Sequence, residues 1–274
     1  MNTVVSFNLA NLLVGALLAL LIGGLAWRFR SLTISGALAT VLTGTIVFGG
    51  GQFLFAVPLI FFFVTSLLLS RLRSPRKSQA SQYGEKEGAR DIWQVFSNGG
   101  AAVICTIIYL ITGEIIWFVA YLAAVAEATA DTWATEIGML SASQPIDLIT
   151  LANIDAGLSG GMTGIGTFAS FAGAFLTALV GGVMYSVVFG NWEALLPMIL
   201  VAGFSGFAGG LIDSLLGGSV QGQYRCNWCG KRTEKRRHCN FSTELTRGFS
   251  FVNNDVINFA STIAAAVTAL VISG

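Results

Sequence analysis

Four acids sit where acids are rarely tolerated. Glu127, Asp131 and Glu136 lie in one long apolar run, and Asp213 lies in another. Glu127 and Asp131 are four residues apart, so a helix carries them on one face, and Thr135 continues that face. If the run is a membrane helix entered near Glu114, a rise of 1.5 Å per residue puts Glu127 roughly 20 Å deep, Asp131 about 26 Å and Glu136 about 33 Å. In a hydrocarbon core of about 30 Å, Glu127 is then well inside and Asp131 is near the far boundary. Glu136 points elsewhere on an ideal helix. Asp213 falls at the depth of Asp131, on a face it shares with Gly206, Gly210 and Gly217. Such a small-residue stripe lets a backbone or a ligand approach the carboxylate.

Amides and one cation join them. Asn253-Asn254-Asp255-Val256-Ile257-Asn258 opens the last apolar run, and spacing of three and four brings Asn254, Asp255 and Asn258 together. Arg90, Gln94 and Asn98 are four apart at the start of another run. An acid near the centre of a membrane helix costs roughly 2.5–3.5 kcal/mol. No lysine or arginine is expected within the hydrocarbon, so protonation, a metal ion or a cationic ligand must neutralise the cluster. Carboxylates with Asn and Thr oxygens are hard ligands suited to Mg²⁺, with Asp131, Glu136, Asp213 and Asp255 as the expected metal set. The plainer alternative is a hydrated vestibule in which these groups only bond neighbouring helices. Intramembrane acids are functional by default, which favours the site.

A glycine-rich segment, Asp155 to Thr167, leads into a helix. Glycines at Gly160 and Gly161 allow backbone N–H groups to close on an anion, and Ser159, Thr163 and Thr167 add hydroxyls. The segment is equally compatible with close helix packing. It is not a Walker A loop, since no Lys-Ser or Lys-Thr follows. It also lacks the aspartate-rich signature of the CDP-alcohol phosphotransferases. Phosphate and Mg²⁺ are natural companions, so the acids strengthen the phosphate reading.

A second constellation is Cys226-Asn227-Trp228-Cys229 followed by His238-Cys239 in a basic loop. It offers the four ligands that a structural Zn²⁺ needs. Reduced thiols without metal and a redox pair are the alternatives. Cys105 lies in an apolar run and reads as packing.

The elements that must position these groups follow from composition. The chain has 274 residues, 54% hydrophobic and 11% charged, with a mean hydropathy of +0.73. Soluble domains carry about 25% charge, so this chain requires lipid as solvent. Windows of about 20 apolar residues give eight spans: 8–27, 32–50, 52–70, 94–112, 115–138, 162–189, 194–218 and 252–272. Only Gly49-Gly50-Gly51 separates the second and third, so a re-entrant hairpin there is an alternative. The first span starts without the basic segment of a secretory signal and reads as retained. All 15 lysines and arginines fall at 28–30, 71–90 and 225–247. With eight spans these stretches share one side, which the positive-inside rule makes cytoplasmic, with both termini outside. The expected architecture is one all-α polytopic bundle over 1–274, with a flexible polar loop at 71–93 and a basic Cys/His loop at about 219–250.

The stretches Glu127-Ala-Thr-Ala-Asp131-Thr-Trp-Ala-Thr-Glu136, Gly160-Gly161-Met-Thr163-Gly-Ile-Gly-Thr167, Gly210-Leu-Ile-Asp213 and Asn254-Asp255-Val-Ile-Asn258 resemble an integral membrane family of unknown-function domains. That family includes human transmembrane protein 19 and the plant and cyanobacterial phytyl-phosphate kinases of tocopherol synthesis. The resemblance implies phosphoryl transfer from CTP, or another nucleotide, to an isoprenyl monophosphate, giving the diphosphate. On that reading Glu127, Asp131, Asp213 and Asp255 are catalytic. Arg90, Asn98, Gly160, Gly161, Thr163, Thr167, Asn254 and Asn258 bind nucleotide and substrate. The prenyl tail lies among the helices, in a plasma or inner membrane or a plastid-type membrane, with the active face cytoplasmic. Nothing suggests nucleic acid. The competing class is an ion-coupled secondary transporter, whose site would lie nearer mid-membrane and use repeats or broken helices. A structural or assembly factor would leave the acids unexplained.

Overall fold

A computed structural model describes residues 9–80, 82–86 and 88–274. The start of the first expected span, residue 8, and the Met1–Val4 segment lie outside the described residues. The helices are α1 (Leu9–Arg28), α2 (Ile34–Gly44), α3 (Gly51–Ser70), α4 (Pro75–Ala80), α5 (Ile92–Thr112), α6 (Ile116–Gly138), α7 (Gly164–Phe189), α8 (Leu195–Ser219) and α9 (Asn254–Ser273). A π-helical turn, Thr45–Gly50, joins α2 to α3. Two-residue strands β1 (Ile146–Asp147) and β2 (Gly161–Met162) pair antiparallel. Strands β3 (Gln223–Cys226), β4 (Arg232–Thr233), β5 (Arg237–His238) and β6 (Phe241–Arg247) form a sheet ordered β4-β3-β6-β5.

Among the described residues, six helical stretches are long and apolar enough to cross a membrane: α1, 34–70, α5, α7, α8 and α9. The 34–70 stretch is folded back on itself. Gln52 has φ 52° and ψ −149°, which no helix accommodates. On one side of this break, Gly49 meets Leu12 near the start of α1. On the other, Arg71 reaches Ser31 (3.4 Å) and lies over the Phe29 ring, beyond the end of α1. The two arms therefore run antiparallel and correspond to the separate 32–50 and 52–70 spans. Helix α6 has the length of a span, but its acids dilute its apolarity. It is the central helix, with every residue from Phe118 to Ala130 buried, and it touches α3, α5, α7, α8 and α9. Each of the eight segments expected to span is thus helical.

Side-chain caps define four helix starts at one end of the bundle. Thr33 caps α2, Asp91 caps α5 in a reciprocal box with Gln94, Thr163 caps α7 and Asn253 caps α9. Each oxygen accepts from a backbone N–H that the first helical turn leaves without a partner. Gly113 and Gly190, both left-handed, close α5 and α7 at the opposite end. All three basic stretches lie at the capped end, hereafter the basic end. Arg71 contacts Ser31, while Lys231 and Glu234 reach Tyr83.

Towards the opposite end the core is aromatic and alanine-rich. Phe55 packs against Tyr109, Phe118 and Tyr121, and the Tyr121 hydroxyl donates to the Phe55 carbonyl. Cys105 is buried in this core, as its surroundings in the sequence suggest. Large apolar side chains such as Leu13, Leu17, Leu21 and Val271 are exposed, as expected of a surface solvated by lipid rather than water.

The polar 71–93 loop and the Cys/His loop both carry defined structure among the described residues. Residues 71–93 contain α4 and return to the bundle through Arg90, whose backbone bridges to Ser31 and Thr33. The Cys/His loop is a four-stranded antiparallel module, so the protein is a helical bundle with a β-cap.

Candidate functional site

A cavity of about 1400 Å³ opens at the basic end. Ligand pockets for small molecules are usually about 300–1,000 Å³, so this one has room for two ligands. Its lining brings together Arg90, Asn98, Asp131, Glu136, Gly160, Gly161, Thr163, Thr167, Asp213, Asn254, Asp255 and Asn258. Of the residues expected to be catalytic or to bind nucleotide, substrate or Mg²⁺, Glu127 alone is not in the lining.

The carboxylates separate into two groups. Glu136 pairs with Lys77, and Asp255 pairs with Lys86, which also binds Asp91 at 2.8 Å. These pairs correct the expectation that no basic residue reaches the acids. The polar segment before α5 folds inward and delivers lysines from outside the apolar runs. Consequently Glu136 and Asp255 are occupied by cations, which removes them from the carboxylates that need another neutralising partner. Burial tends to lower the Lys86 pKa, but its two carboxylates outweigh that and hold it above the ordinary lysine value.

Glu127, Asp131 and Asp213 form the second group. None has a lysine or arginine within ion-pair distance among the described residues. They come from adjacent helices α6 and α8 and lie within electrostatic reach of one another. Asp213 Oδ2 accepts from Ser261 Oγ at 3.0 Å. With its amide nitrogen turned towards α8, Asn258 donates to Asp213 Oδ2 (3.3 Å) and to the Asn254 carbonyl (2.9 Å). The Asn98 and Asn258 amides are 3.3 Å apart. Glu127 is 1% exposed, and its Oε1 has no hydrogen-bond partner. Arg90 is a cation within electrostatic reach of Asp131 and Glu136.

Glycines make this convergence possible. A Cβ at Gly206 would meet Ala126 Cβ at 2.6 Å, and one at Gly209 would meet Glu127 Cγ at 2.6 Å and Ala265 Cβ at 2.9 Å. Gly206 belongs to the stripe read from the sequence; Gly209 does not, and it packs α8 against both α6 and α9.

The glycine-rich segment is a turn pressed on α8. Gly160 has φ +89°, and its Cβ would collide with the Gly218 backbone. Ser159 N donates to Glu234 Oε1 (2.7 Å), and Gln223 Nε2 donates to the Ser159 carbonyl (3.1 Å). Asp147, 1% exposed, accepts from Ile149 N, Thr150 N and Arg247 Nη1. Burial alone would raise the Asp147 pKa, but Arg247 and those N–H groups hold it below the usual carboxylate range.

Residues absent from the sequence reading therefore matter here: Lys77, Lys86, Asp147, Glu234 and Ser261. Ser261 extends the 254–258 spacing by three residues and was open to the same helical argument. The others act over long sequence separations, which local spacing does not register.

A narrower pocket of about 70 Å³ adjoins the cavity and shares Leu32, Phe63, Arg90, Gln94 and Asn98 with it. Its remaining lining is mostly apolar, including Ile22, Phe48, Leu59 and Phe62. The Cys226, Cys229, His238 and Cys239 donor atoms converge elsewhere, in the β-cap, all within 4.8 Å of one another.

A family model described as an integral membrane protein, DUF92, matches residues 17–266. An uncharacterized membrane protein of Methanocaldococcus jannaschii is 29% identical over 179 residues, covering 65% of this chain and 73% of that protein. Protein PGR of Arabidopsis thaliana is 30% identical over 189 residues, covering 63% of this chain and 65% of that protein, just under two thirds of its length. No solved structure matches the chain.

Proposed function

The chain belongs to the DUF92 family of integral membrane proteins, and from that premise we propose that it is a membrane-embedded kinase of isoprenyl monophosphates. It would transfer the terminal phosphoryl group of CTP, or another nucleoside triphosphate, to the phosphate of a lipid such as phytyl or geranylgeranyl phosphate. The products would be the isoprenyl diphosphate and the nucleoside diphosphate. The reaction class comes from the motif resemblance to phytyl-phosphate kinases.

The observation that carries the reading is one cavity that joins the Asp131 and Asp213 carboxylates, a glycine-rich turn and an apolar side pocket. An amphiphilic phosphate needs both environments at once. The cavity volume accommodates a nucleotide and a lipid headgroup together. Phosphoryl transfer is mostly positioning and charge neutralisation, so no strong general base is needed. An acceptor that is already a phosphate anion needs none to be deprotonated.

The donor set fits a hard divalent cation. Asp131 and Asp213 have no lysine or arginine within ion-pair distance among the described residues, the Glu127 Oε1 is orphaned, and the Asn98 and Asn258 amides are adjacent. Mg²⁺ suits such oxygens and would neutralise phosphate charge when bound. Asp131 and Asp213 would hold it, with Glu127 supporting from below. Gly160, Gly161, Thr163 and Thr167 would receive nucleotide phosphates at the start of α7, where N–H groups and the helix end favour anions. Arg90 lines both cavities and would grip the headgroup while the tail enters the apolar pocket.

In this reading the basic end faces the cytoplasm, where nucleotide is available. The break at Gln52 lies at the opposite end, so the acids are not arranged around a broken helix as in many transporters.

The test uses purified protein in detergent with Mg²⁺, CTP or ATP, and phytyl or geranylgeranyl monophosphate. Formation of isoprenyl diphosphate, abolished by Asp131→Asn or Asp213→Asn, is the expected result. No diphosphate with any nucleotide would refute the kinase assignment, and ion-driven uptake in liposomes would then support transport.

A further inference from the structure

We propose that Cys226, Cys229, His238 and Cys239 bind a structural Zn²⁺ that holds the β-cap as a clamp on the glycine-rich turn.

The local geometry gathers four metal-type donor atoms within 4.8 Å of one another. Cys226 ends β3, and the following turn returns through Gly230, whose N–H donates to the Cys226 carbonyl at 2.9 Å. Gly230 has φ +71°, which lets the chain reverse and place Cys229 beside Cys226. His238 and Cys239 lie at the other hairpin, where β5 meets β6. Cys239 and Asn240 occupy its two-residue turn with φ 53° and 63°. Positive φ at both positions is what a tight hairpin turn demands, though it strains a cysteine.

Distances support metal over the other fates of these thiols. Zn–S bonds of about 2.3 Å and Zn–N bonds of about 2.0–2.1 Å at tetrahedral angles separate S from S by about 3.8 Å and S from N by about 3.6 Å. Cys229 Sγ and Cys239 Sγ are 3.8 Å apart. His238 Nδ1 is 3.5 Å from Cys229 Sγ and 3.3 Å from Cys239 Sγ. A disulfide would require about 2.05 Å, and all these cysteines are free. The stacked rings of Trp228 and Phe241 join the two hairpins beside the donors.

The module also needs such a staple. Between Gln223 and Arg247 the buried side chains are Gln223, Tyr224, Cys226, Thr233 and Glu234. One aromatic ring and one thiol are too little apolar surface to hold four strands, and modules of this size usually rely on metals or disulfides.

What the staple fixes is the roof of the cavity. Thr233 Oγ1 and Glu234 N both donate to the Tyr83 carbonyl, at 3.0 and 2.8 Å. Glu234 and Gln223 hold Ser159 on its two backbone groups, and Arg247 holds Asp147. The β-cap thus secures the turn carrying Gly160 and Gly161 and the loop that delivers Lys86. The zinc acts through these contacts, as a positioning element.

The experiment measures metal in the full-length protein, purified without chelator and with its affinity tag removed. One zinc per chain is expected, released by a mercurial thiol reagent, and lost at least ten-fold in Cys229→Ser and Cys239→Ser. Cys105→Ser should retain it. Zinc-stripped protein should be cleaved faster by protease within 155–161 and 225–240, and zinc should restore resistance. Metal-free wild-type protein, or unchanged cleavage after stripping, would overturn the proposal. If the variants fail to fold, wild-type metal content and the stripping experiment decide. None of these readouts uses a nucleotide or lipid substrate, so the outcome is independent of the kinase assignment.

Discussion

Glu127 is the residue that most constrains what the cavity can hold. It lies beneath Asp213 and Asp131, closed off by α8 and α9, with one oxygen unpartnered. A buried charge without a partner is costly, so a bound divalent cation should stabilise the fold by mass action, about 2.7 kcal/mol at 100 times its Kd. Mg²⁺ is therefore expected to raise the melting temperature of the wild type in detergent. Glu127→Gln keeps the shape and removes the group that would ionise to bind the cation. It should melt higher than wild type without Mg²⁺ and gain less when Mg²⁺ is added; an equal gain would show that the ion binds elsewhere. Glu234 makes the opposite kind of statement, at the edge of the cavity. Burial raises its pKa to about 7, although its bond from Ser159 N opposes this. A carboxyl whose folded pKa exceeds its unfolded value of about 4.5 binds more protons folded than unfolded. Its contribution to stability is thus fully present below about pH 4.5 and falls as pH rises to about 7. Glu234→Gln, which can still accept from Ser159 N, should flatten that part of the stability–pH curve; an unchanged curve would assign the dependence to another group.

Helices were legible where hydropathy alone decides, and less so where packing between them decides. The eight apolar runs became helices, and the Gly49-Gly50-Gly51 separation marked a real reversal, although the strained residue is Gln52. The acids on α6 and α8 were legible because helical spacing is a local rule. The lysine pairs were not, because Lys86 meets Asp255 across 169 positions. Nor was the β-cap, whose strands are short and polar; only its four metal-type donors were visible. Glycine on α8 shows how much of the site is element-level geometry. Gly206→Ala would push Ala126 and the Glu127 backbone, so α8 must move off α6. A loss of about 1–3 kcal/mol is expected, as for other overpacked cores, together with weaker Mg²⁺ stabilisation. Gly24→Ala meets nothing within 4 Å and should gain up to about 1 kcal/mol from helix propensity. Thermal melts of the two variants give the comparison; equal shifts would remove the close α6–α8 approach as a structural requirement.

At the scale of the whole molecule, the bundle is polarised. The basic stretches, the capped starts of α2, α5, α7 and α9, the cavity and the β-cap all occupy one end, while Gly113, Gly190 and the Gln52 reversal occupy the other. Positive loops are retained on the cytoplasmic side during insertion, and here every lysine and arginine votes the same way. The polarity also has a chemical reason in the proposed reaction, since water-soluble nucleotide and membrane-bound lipid must meet at one interface. Alkaline phosphatase joined after Asn191 should therefore be active outside the cytoplasm, while a fusion after Lys235 should be inactive, with a fluorescent-protein fusion giving the reverse pattern. Phosphatase activity at Lys235 would invert the bundle. The acids would then face away from the nucleotide pool, and neither the kinase assignment nor a reduced, zinc-binding β-cap would keep its physical basis.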